Sequence, residues 1–536
     1  MKKYQVVTSV SVLAIVAMLL LTVSVRENKA DQARIAATPE IKAFEVRSSE
    51  WGRHYPRQYS TYMQTKKGDA FIDVLGDLEP GLVINWAGYA FSKDYSRPRG
   101  HYYMLEDQAV SLRTGAPDPA KGIPSPQPTA CWTCKGPDVA RLIARDGELE
   151  FFTGTWDKYG SEVVNPVGCA DCHDPKTMKL VTTRPHLKRA VDASGILKYD
   201  EATQQDMRSL VCAQCHIEYY FKPTEWTDKN GEKKVAKVNT LPWDKGLSVE
   251  AIEQYYDEIG FTDYTHKLSK APILKAQHPD YELFRTSIHF KRGLACADCH
   301  MPYVREGGVK YTSHQILGNP LDSIGNTCLN CHHDSEEGFR AILKRKLERK
   351  YELARKATAS IATAHLEAQK AWELGANEEE MRPALMDIRK GQWRWDFALA
   401  SHGAFFHAPE EMLRIIADAI HYGEEARIKL RAILAKYGAG DYVAPDFSTK
   451  EKAQALAGID LLKESREKTR FLNTVRKEWF NEAKKKGVFD PQGEQDMVPF
   501  ISAWPVPAED GSAEKAPMET QAAGEQTPDK QAKEKL

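Results

Sequence analysis

Residues Cys131–Lys135 read CWTCK, and the same cysteine spacing returns four times with histidine in the last place: CADCH (Cys169–His173), CAQCH (Cys212–His216), CADCH (Cys296–His300) and CLNCH (Cys328–His332). These five segments hold all 10 cysteines of the 536-residue chain. A disulfide framework suits small secreted domains and gives no reason for a histidine after each pair. Zinc ribbons join CxxC pairs two by two, and five pairs leave one without a mate. Covalent c-type haem explains both features: two thiols form thioethers with the vinyl groups, and the adjoining histidine ligates the iron. The segments therefore predict five haems, on Cys131 and Cys134, Cys169 and Cys172, Cys212 and Cys215, Cys296 and Cys299, and Cys328 and Cys331. Proximal ligands are His173, His216, His300 and His332, with Lys135 in the odd position.

The formal charge of −1 gives no basic balance that would point to nucleic acid. Haem of this kind is attached outside the cytoplasm, so an export segment is required. The N-terminus supplies one: MKK, then an uncharged stretch from Tyr4 to Val25 closed by Arg26. Its apolar part is long enough to span a bilayer, and no clean A-x-A cleavage site follows. Residues 1–30 thus read as a cleaved signal peptide or as a retained membrane anchor, with the anchor slightly favoured. The expected location is the periplasm, soluble in the first case and held at the inner membrane in the second.

Residues 31–335 are rich in glycine, proline and aromatics, without long periodic runs. Macrocycles serving as core pieces would let the chain wrap rather than stack layers. Short helices are expected to carry each CxxC, since one turn sets both thiols at one haem edge. Beyond His333 the pattern changes. Phe339, Leu343, Leu347, Tyr351, Leu353, Ile361 and Leu366 form a helical stripe over 336–375, stopped at Gly375 and Asn377. Further helices are expected over 378–401, 409–438 and 449–486. The predicted fold is mainly α: a haem-packed multihaem cytochrome c region with few strands, then a C-terminal bundle of long helices over 336–490. Such helices make good dimer seams. The tail 505–536 is polar and rich in Pro, Ala, Glu and Lys, a composition expected to be disordered.

A haem with histidine on both faces passes electrons, whereas one with a single protein ligand keeps a face open for chemistry. Lysine ligates only as the neutral amine, so burial and the ferric charge must remove its proton. The plain alternative is a solvent lysine beside an ordinary disulfide. Four of the 16 histidines are proximal by motif, and spacing alone does not choose distal ligands among the other twelve.

The segments RGHYYMLEDQ, LRTGAP, CWTCKGPDVARLI, VCAQCHIEYYF, LKAQHPDYE, IHFKRGLACADCHMP, GNPLDSIGNTCLNCH and QWRWDFALASHGAFFHAPEE resemble those of the pentahaem cytochrome c nitrite reductases, the ammonia-forming enzymes. The resemblance spans about residues 45–490 and implies roles one by one. Lys135 is the proximal ligand of the open haem. His101 pairs with the haem at His216, His314 with that at His173, His407 with that at His300, and His289 with that at His332. Arg113, Tyr219 and His278 form the substrate pocket. Glu218, Tyr219, Lys275 and Gln277 hold one calcium ion, Tyr219 and Lys275 through backbone carbonyls. The implied activity is the six-electron reduction of nitrite, with electrons from a quinol-oxidising multihaem membrane partner, and the implied assembly is a homodimer. A protonated His278 and Arg113 would attract the anion, and His278 would deliver protons.

Taken alone, several of these residues have plainer readings. Arg113 is a surface ion-pair residue, His278 a loop histidine, Tyr219 and Tyr220 packed aromatics, and Glu218 a surface carboxylate. His402 competes with His407 as a ligand. His365 and His421 are expected to be structural, and His54, His186, His266 and His333 to face solvent or haem propionates. The competing function is an electron conduit without substrate chemistry.

Overall fold

The computed structural model describes residues 2–67 and 72–489, with side chains of 2–8 and 77–78 outside the description. The tail 505–536 lies outside the described residues. Helix α1 (Lys2–Ala37) runs unbroken past the expected boundary at residue 30. Between it and residue 335 regular elements are short. Those that matter for the site are α2 (Gln204–Ala213), α3 (Asp280–Thr286) and α4 (Cys296–His300). Three antiparallel two-stranded ribbons join them: β1 (Tyr220–Thr227) with β2 (Lys233–Thr240), β3 (Tyr264–Thr265) with β4 (Pro272–Ile273), and β5 (Tyr303–Glu306) with β6 (Val309–Thr312). None extends into a larger sheet, as expected where haem rather than sheet stacking fills the interior.

The C-terminal helices are α5 (Glu336–Glu373), α6 (Glu378–Ala400), the single turn α7 (Ala404–His407) and α8 (Pro409–Lys436). Ser335 caps α5 by accepting from the Gly338 amide at 3.1 Å. Asn377, expected as part of the stop, instead starts α6. Its side chain accepts from Glu380 N at 3.0 Å while Glu380 accepts from Asn377 N at 3.2 Å, a reciprocal cap. The single helix expected over 449–486 is three: α9 (Lys450–Ala457), α10 (Leu461–Asn473) and α11 (Val475–Lys486). Gly458, at φ 62°, ends the first, and Thr474, at φ −119° and ψ −87°, turns the chain between the others.

α5, α6 and α8 do not form a separate core. Trp393, Trp395 and Phe397 of α6, Ile361 of α5 and Ile416 of α8 pack with Leu82, Val83, Ile84 and Trp86 from the haem region. The buried face of α5 also carries charged side chains, Lys350 at 3 % exposed and Glu367 fully buried.

Candidate haem and substrate site

Each CxxC segment lies on one turn. Three are 3-10 turns (Thr129–Trp132, Cys169–Asp171 and Cys328–Asn330), one ends α2 and one is α4. The residues between the cysteines tie the segments together. Arg184 is buried, pairs with Asp171 at 2.7 Å, and donates to Thr133 O at 2.7 Å and Gly136 O at 2.8 Å, joining the first segment to the second. Gln214 donates to Asp171 O at 2.9 Å, joining the third to the second. Asp298 pairs with Arg208 of α2 at 2.7 Å, joining the fourth to the third. None of the ten cysteines is in a disulfide, which removes that reading. Thiols of different segments instead meet: Cys134 with Cys215 and Cys212 with Cys296 are within hydrogen-bond reach. Cys172 lies within electrostatic range of Cys215, and Cys299 of Cys328. The third segment is therefore adjacent to the first, second and fourth, and the fifth hangs from the fourth.

Four histidine pairs face each other across similar gaps. Ring centres are 6.1 Å apart for His101 and His216, 6.1 Å for His173 and His314, 6.1 Å for His300 and His407, and 6.3 Å for His289 and His332. A metal–nitrogen bond of about 2.0 Å on each side, plus about 1.1 Å from nitrogen to ring centre, separates two ligating imidazoles by about 6.2 Å. Each gap is the size one iron needs, as is the 5.9 Å between His216 and His278, so the choice of partner for His216 rests on the resemblance. Second contacts orient the rings: His173 Nδ1 meets Met178 O at 2.9 Å, His300 Nδ1 meets Leu317 O at 2.6 Å, and His314 Nδ1 meets Thr312 O at 2.8 Å. His402 lies 6.1 Å from His278 rather than opposite a proximal histidine.

Lys135 stands where the other four segments carry histidine. Burial pushes the Lys135 ammonium below the ordinary lysine range, against the pull of the Cys134 sulfur, which is the direction a ligating amine requires. Around this segment stand Arg113, Tyr219 and His278, each close enough to Lys135 or its cysteines to interact with them electrostatically. Arg113 has no carboxylate partner among the described residues. Its guanidinium lies over Phe91 at 4.4 Å, and Nε donates to Ser111 at 2.8 Å. Tyr219 lies within electrostatic range of Cys131 and Cys134, and burial and those sulfurs keep its phenol protonated. Tyr220, by contrast, is 3 % exposed and packs among Tyr255, Tyr256 and Phe261. His278 Nδ1 is buried without a hydrogen-bond partner. Burial, with His216 and His402 beside it, lowers its proton affinity well below the usual range, only partly opposed by Asp280.

Behind the pocket lies a nest of buried acids. Glu218 is fully buried and accepts from Tyr256 OH at 3.0 Å and from Gln277 N at 2.6 Å. Burial raises its carboxyl well above the usual range; Gln277 opposes this, while Asp263 and Glu282 add to it. Burial likewise raises Asp263 to about 7 and Glu282 to about 8. Lys275 Nζ answers Asp396 at 3.0 Å, and Lys275 O accepts from the Gln277 side chain at 3.1 Å. Crowded carboxylates with so little cationic charge suit a hard cation held by oxygen.

Several histidines differ from expectation. His54, His186 and His266 are 6 %, 2 % and 0 % exposed, and each ring nitrogen Nε2 meets a backbone carbonyl, of Pro39, Gln214 and Ile84 respectively. They are structural because an internal carbonyl satisfies the ring, a partner that sequence spacing does not show. His365 is structural as expected, stacked on His266 at 3.5 Å. Arg184, Gln214, Lys350 and Asp280 went unnoticed in the sequence. Only Asp280 carried a signal there, two residues after His278.

Fold and gaps together define a multihaem c-type cytochrome. The chain belongs to the cytochrome c552 family, which it matches over residues 47–489. It is 56 % identical to cytochrome c-552 of Desulfotalea psychrophila over 92 % of this chain and 97 % of that one. It is 52 % identical to cytochrome c-552 of Maridesulfovibrio salexigens over 94 % of this chain and 100 % of that one. Among solved structures it is similar to the cytochrome c nitrite reductase of Desulfovibrio desulfuricans, whose catalytic subunit has two calcium sites. That match has a TM-score of 0.67 and 27 % identity, over 82 % of this chain and 96 % of that one.

Proposed function

We propose that this chain is an ammonia-forming nitrite reductase, with its substrate site at the haem on Cys131 and Cys134. One observation supports the reading: Arg113, Tyr219 and His278 gather at the one CxxC segment that carries lysine in place of histidine. When bound, that haem supplies electrons and an open iron face, for a reaction that takes nitrite with six electrons and eight protons to ammonium and two waters. The protein supplies the rest. Arg113, braced by Phe91 and Ser111, has its remaining N–H groups available for the nitrite oxygens. Tyr219 donates from a phenol that stays protonated. His278 enters neutral and takes up a proton together with the anion, so Arg113 is the standing positive charge and His278 the proton carrier. The neutral resting state differs from the protonated His278 expected at the outset, and burial is the reason.

The four imidazole pairs support bis-histidine ligation of the other haems. Glu218, the side-chain oxygen of Gln277 and the backbone carbonyls of Tyr219 and Lys275 form the proposed calcium site. Turning over the Gln277 amide, which now donates to Lys275 O, presents its oxygen instead. The ion would fix the neighbours of Tyr219 and His278.

For location, the anchored periplasmic form is favoured. Helix α1 exposes its apolar residues from Val10 to Val25 and then grips the folded domain. Ser24 Oγ donates to Gly308 O at 3.0 Å, and Gly308 N donates to Glu27 at 2.9 Å. A Cβ at Gly308 would sit 2.7 Å from Ser24 Cα, so this turn between β5 and β6 must lack a side chain. The proposed electron donor is a quinol-oxidising multihaem membrane protein. The proposed assembly is a homodimer through the long helices of 336–490, with residues 31–335 as the catalytic region.

The deciding experiment is a spectrum of the haem-loaded protein. One high-spin haem that changes when nitrite is added, beside four low-spin haems that do not, is the expected result. Five low-spin haems would make the chain an electron conduit. Lys135→His is expected to retain five haems and lower nitrite turnover by roughly 10- to 100-fold, as for changes in the ligand field of a metal site. Full activity, measured with reduced viologen, would show the amine to be dispensable.

A further inference from the structure

Asp280, the first residue of α3, stands between histidines of two different pairs. Its Oδ2 is 3.9 Å from His216 Nδ1, and its Oδ1 is 3.9 Å from His407 Nδ1. His216 faces His101, whereas His407 faces His300. The two carboxylate oxygens are thus divided between ligands of two irons. The surroundings fix this division. Ser401 Oγ donates to Oδ1 at 2.7 Å, and Lys350 Nζ, from the buried face of α5, donates to Ser401 O at 2.9 Å. The Tyr281 amide donates to His216 O at 3.1 Å, so the start of α3 and the His216 backbone are fastened together. His407 Nδ1 is buried and has no hydrogen-bond partner, and it lies 3.9 Å from this carboxylate.

We propose that Asp280 is a positioning residue shared by two haems: its oxygens, now 3.9 Å from the Nδ1 atoms of His216 and His407, close on them to accept both N–H groups when the rings bind iron. The proposal rests on the reading that His216 and His407 are axial ligands. An imidazole that donates to a carboxylate becomes a stronger donor to its metal, which favours the ferric state and lowers the potential. One carboxylate serving two ligands lowers both potentials and links them. Oxidation of one iron sharpens its imidazole's pull on the shared charge and leaves less for the other.

The test is spectroelectrochemical titration of the five-haem protein, with Asp280→Asn, Asp280→Glu, Ser401→Ala and His407→Gly compared. Asp280→Asn is expected to move two of the four low-spin transitions to more positive potential and leave the other two in place. Asp280→Glu restores them toward the original positions. Ser401→Ala, which frees only Oδ1, is expected to move the transition of the His300 haem alone. No shift in Asp280→Asn, a shift of one haem, or an equal shift of all five would overturn the proposal. Should Asp280→Asn fail to assemble, an unshifted His300 haem in Ser401→Ala overturns it instead. His407→Gly checks the ligand reading separately: it must convert one low-spin haem to high-spin, and an unchanged spectrum would remove His407 as a ligand whatever Asp280 does.

Discussion

Replacing His278 with asparagine is expected to lower nitrite turnover by about 10²- to 10⁴-fold, the usual worth of a positioned proton carrier, with all five haems still attached. Asparagine keeps a hydrogen-bond donor near the substrate but cannot pass a proton on. The pH profile separates these roles. Burial and the neighbouring His216 and His402 depress the proton affinity of His278. At neutral pH it is therefore mostly unprotonated, and its acid form grows about tenfold for each unit of pH decrease until the lowered pKa is reached. Turnover by the unaltered protein should rise toward acid over that range, and the variant should lose the slope. Haem content by mass and steady-state rates with reduced viologen give both readouts. An identical slope in the variant would take His278 out of proton delivery.

Arg113→Gln is expected to cost about 10²- to 10³-fold in kcat/KM for nitrite, as when a fixed donor to developing negative charge is removed. Phe91 at 4.4 Å and Ser111 at 2.8 Å hold the guanidinium in one orientation. The turn bearing it is fixed from far away in sequence: Lys468 of α10 donates to Thr114 Oγ1 at 2.9 Å and to Ala109 O at 3.1 Å. Arg113→Lys should rescue little, because an ammonium offers no planar fork to two oxygens. Hydroxylamine, a neutral substrate, provides the control. Its turnover should fall far less than that of nitrite, and equal losses would mean that Arg113 supports the pocket without recognising the anion.

The spacing of five CxxC segments was enough to read the haem number, and the 3.6-residue stripe from Phe339 to Leu366 was enough to read α5. The breaks at Gly458 and Thr474 escaped because the stretch 449–486 keeps a helical composition throughout, and tertiary packing sets where it bends. Asn377 was placed at the wrong end of its loop since an asparagine suits either a stop or a start, and only Glu380 three residues on decides. Motif spacing named the proximal ligands; their partners came from resemblance, because nothing in the spacing ties a distal histidine to one part of the chain. His216 and its partner His101 lie more than a hundred residues apart. Asp280 and Lys350 were hidden for a related reason. A buried charge in an apolar pattern looks like a solvent residue until the groups it answers are brought beside it.

The thiol contacts give the chain a branched layout, with the third segment as the crossing point. On the proposed reading, charge entering by the second segment, or stored out along the fourth and fifth, would meet at that crossing before passing to the lysine-bearing segment. A change at Cys212 or Cys215 is then expected to disturb three neighbouring segments at once, whereas loss of the fifth would touch only the fourth.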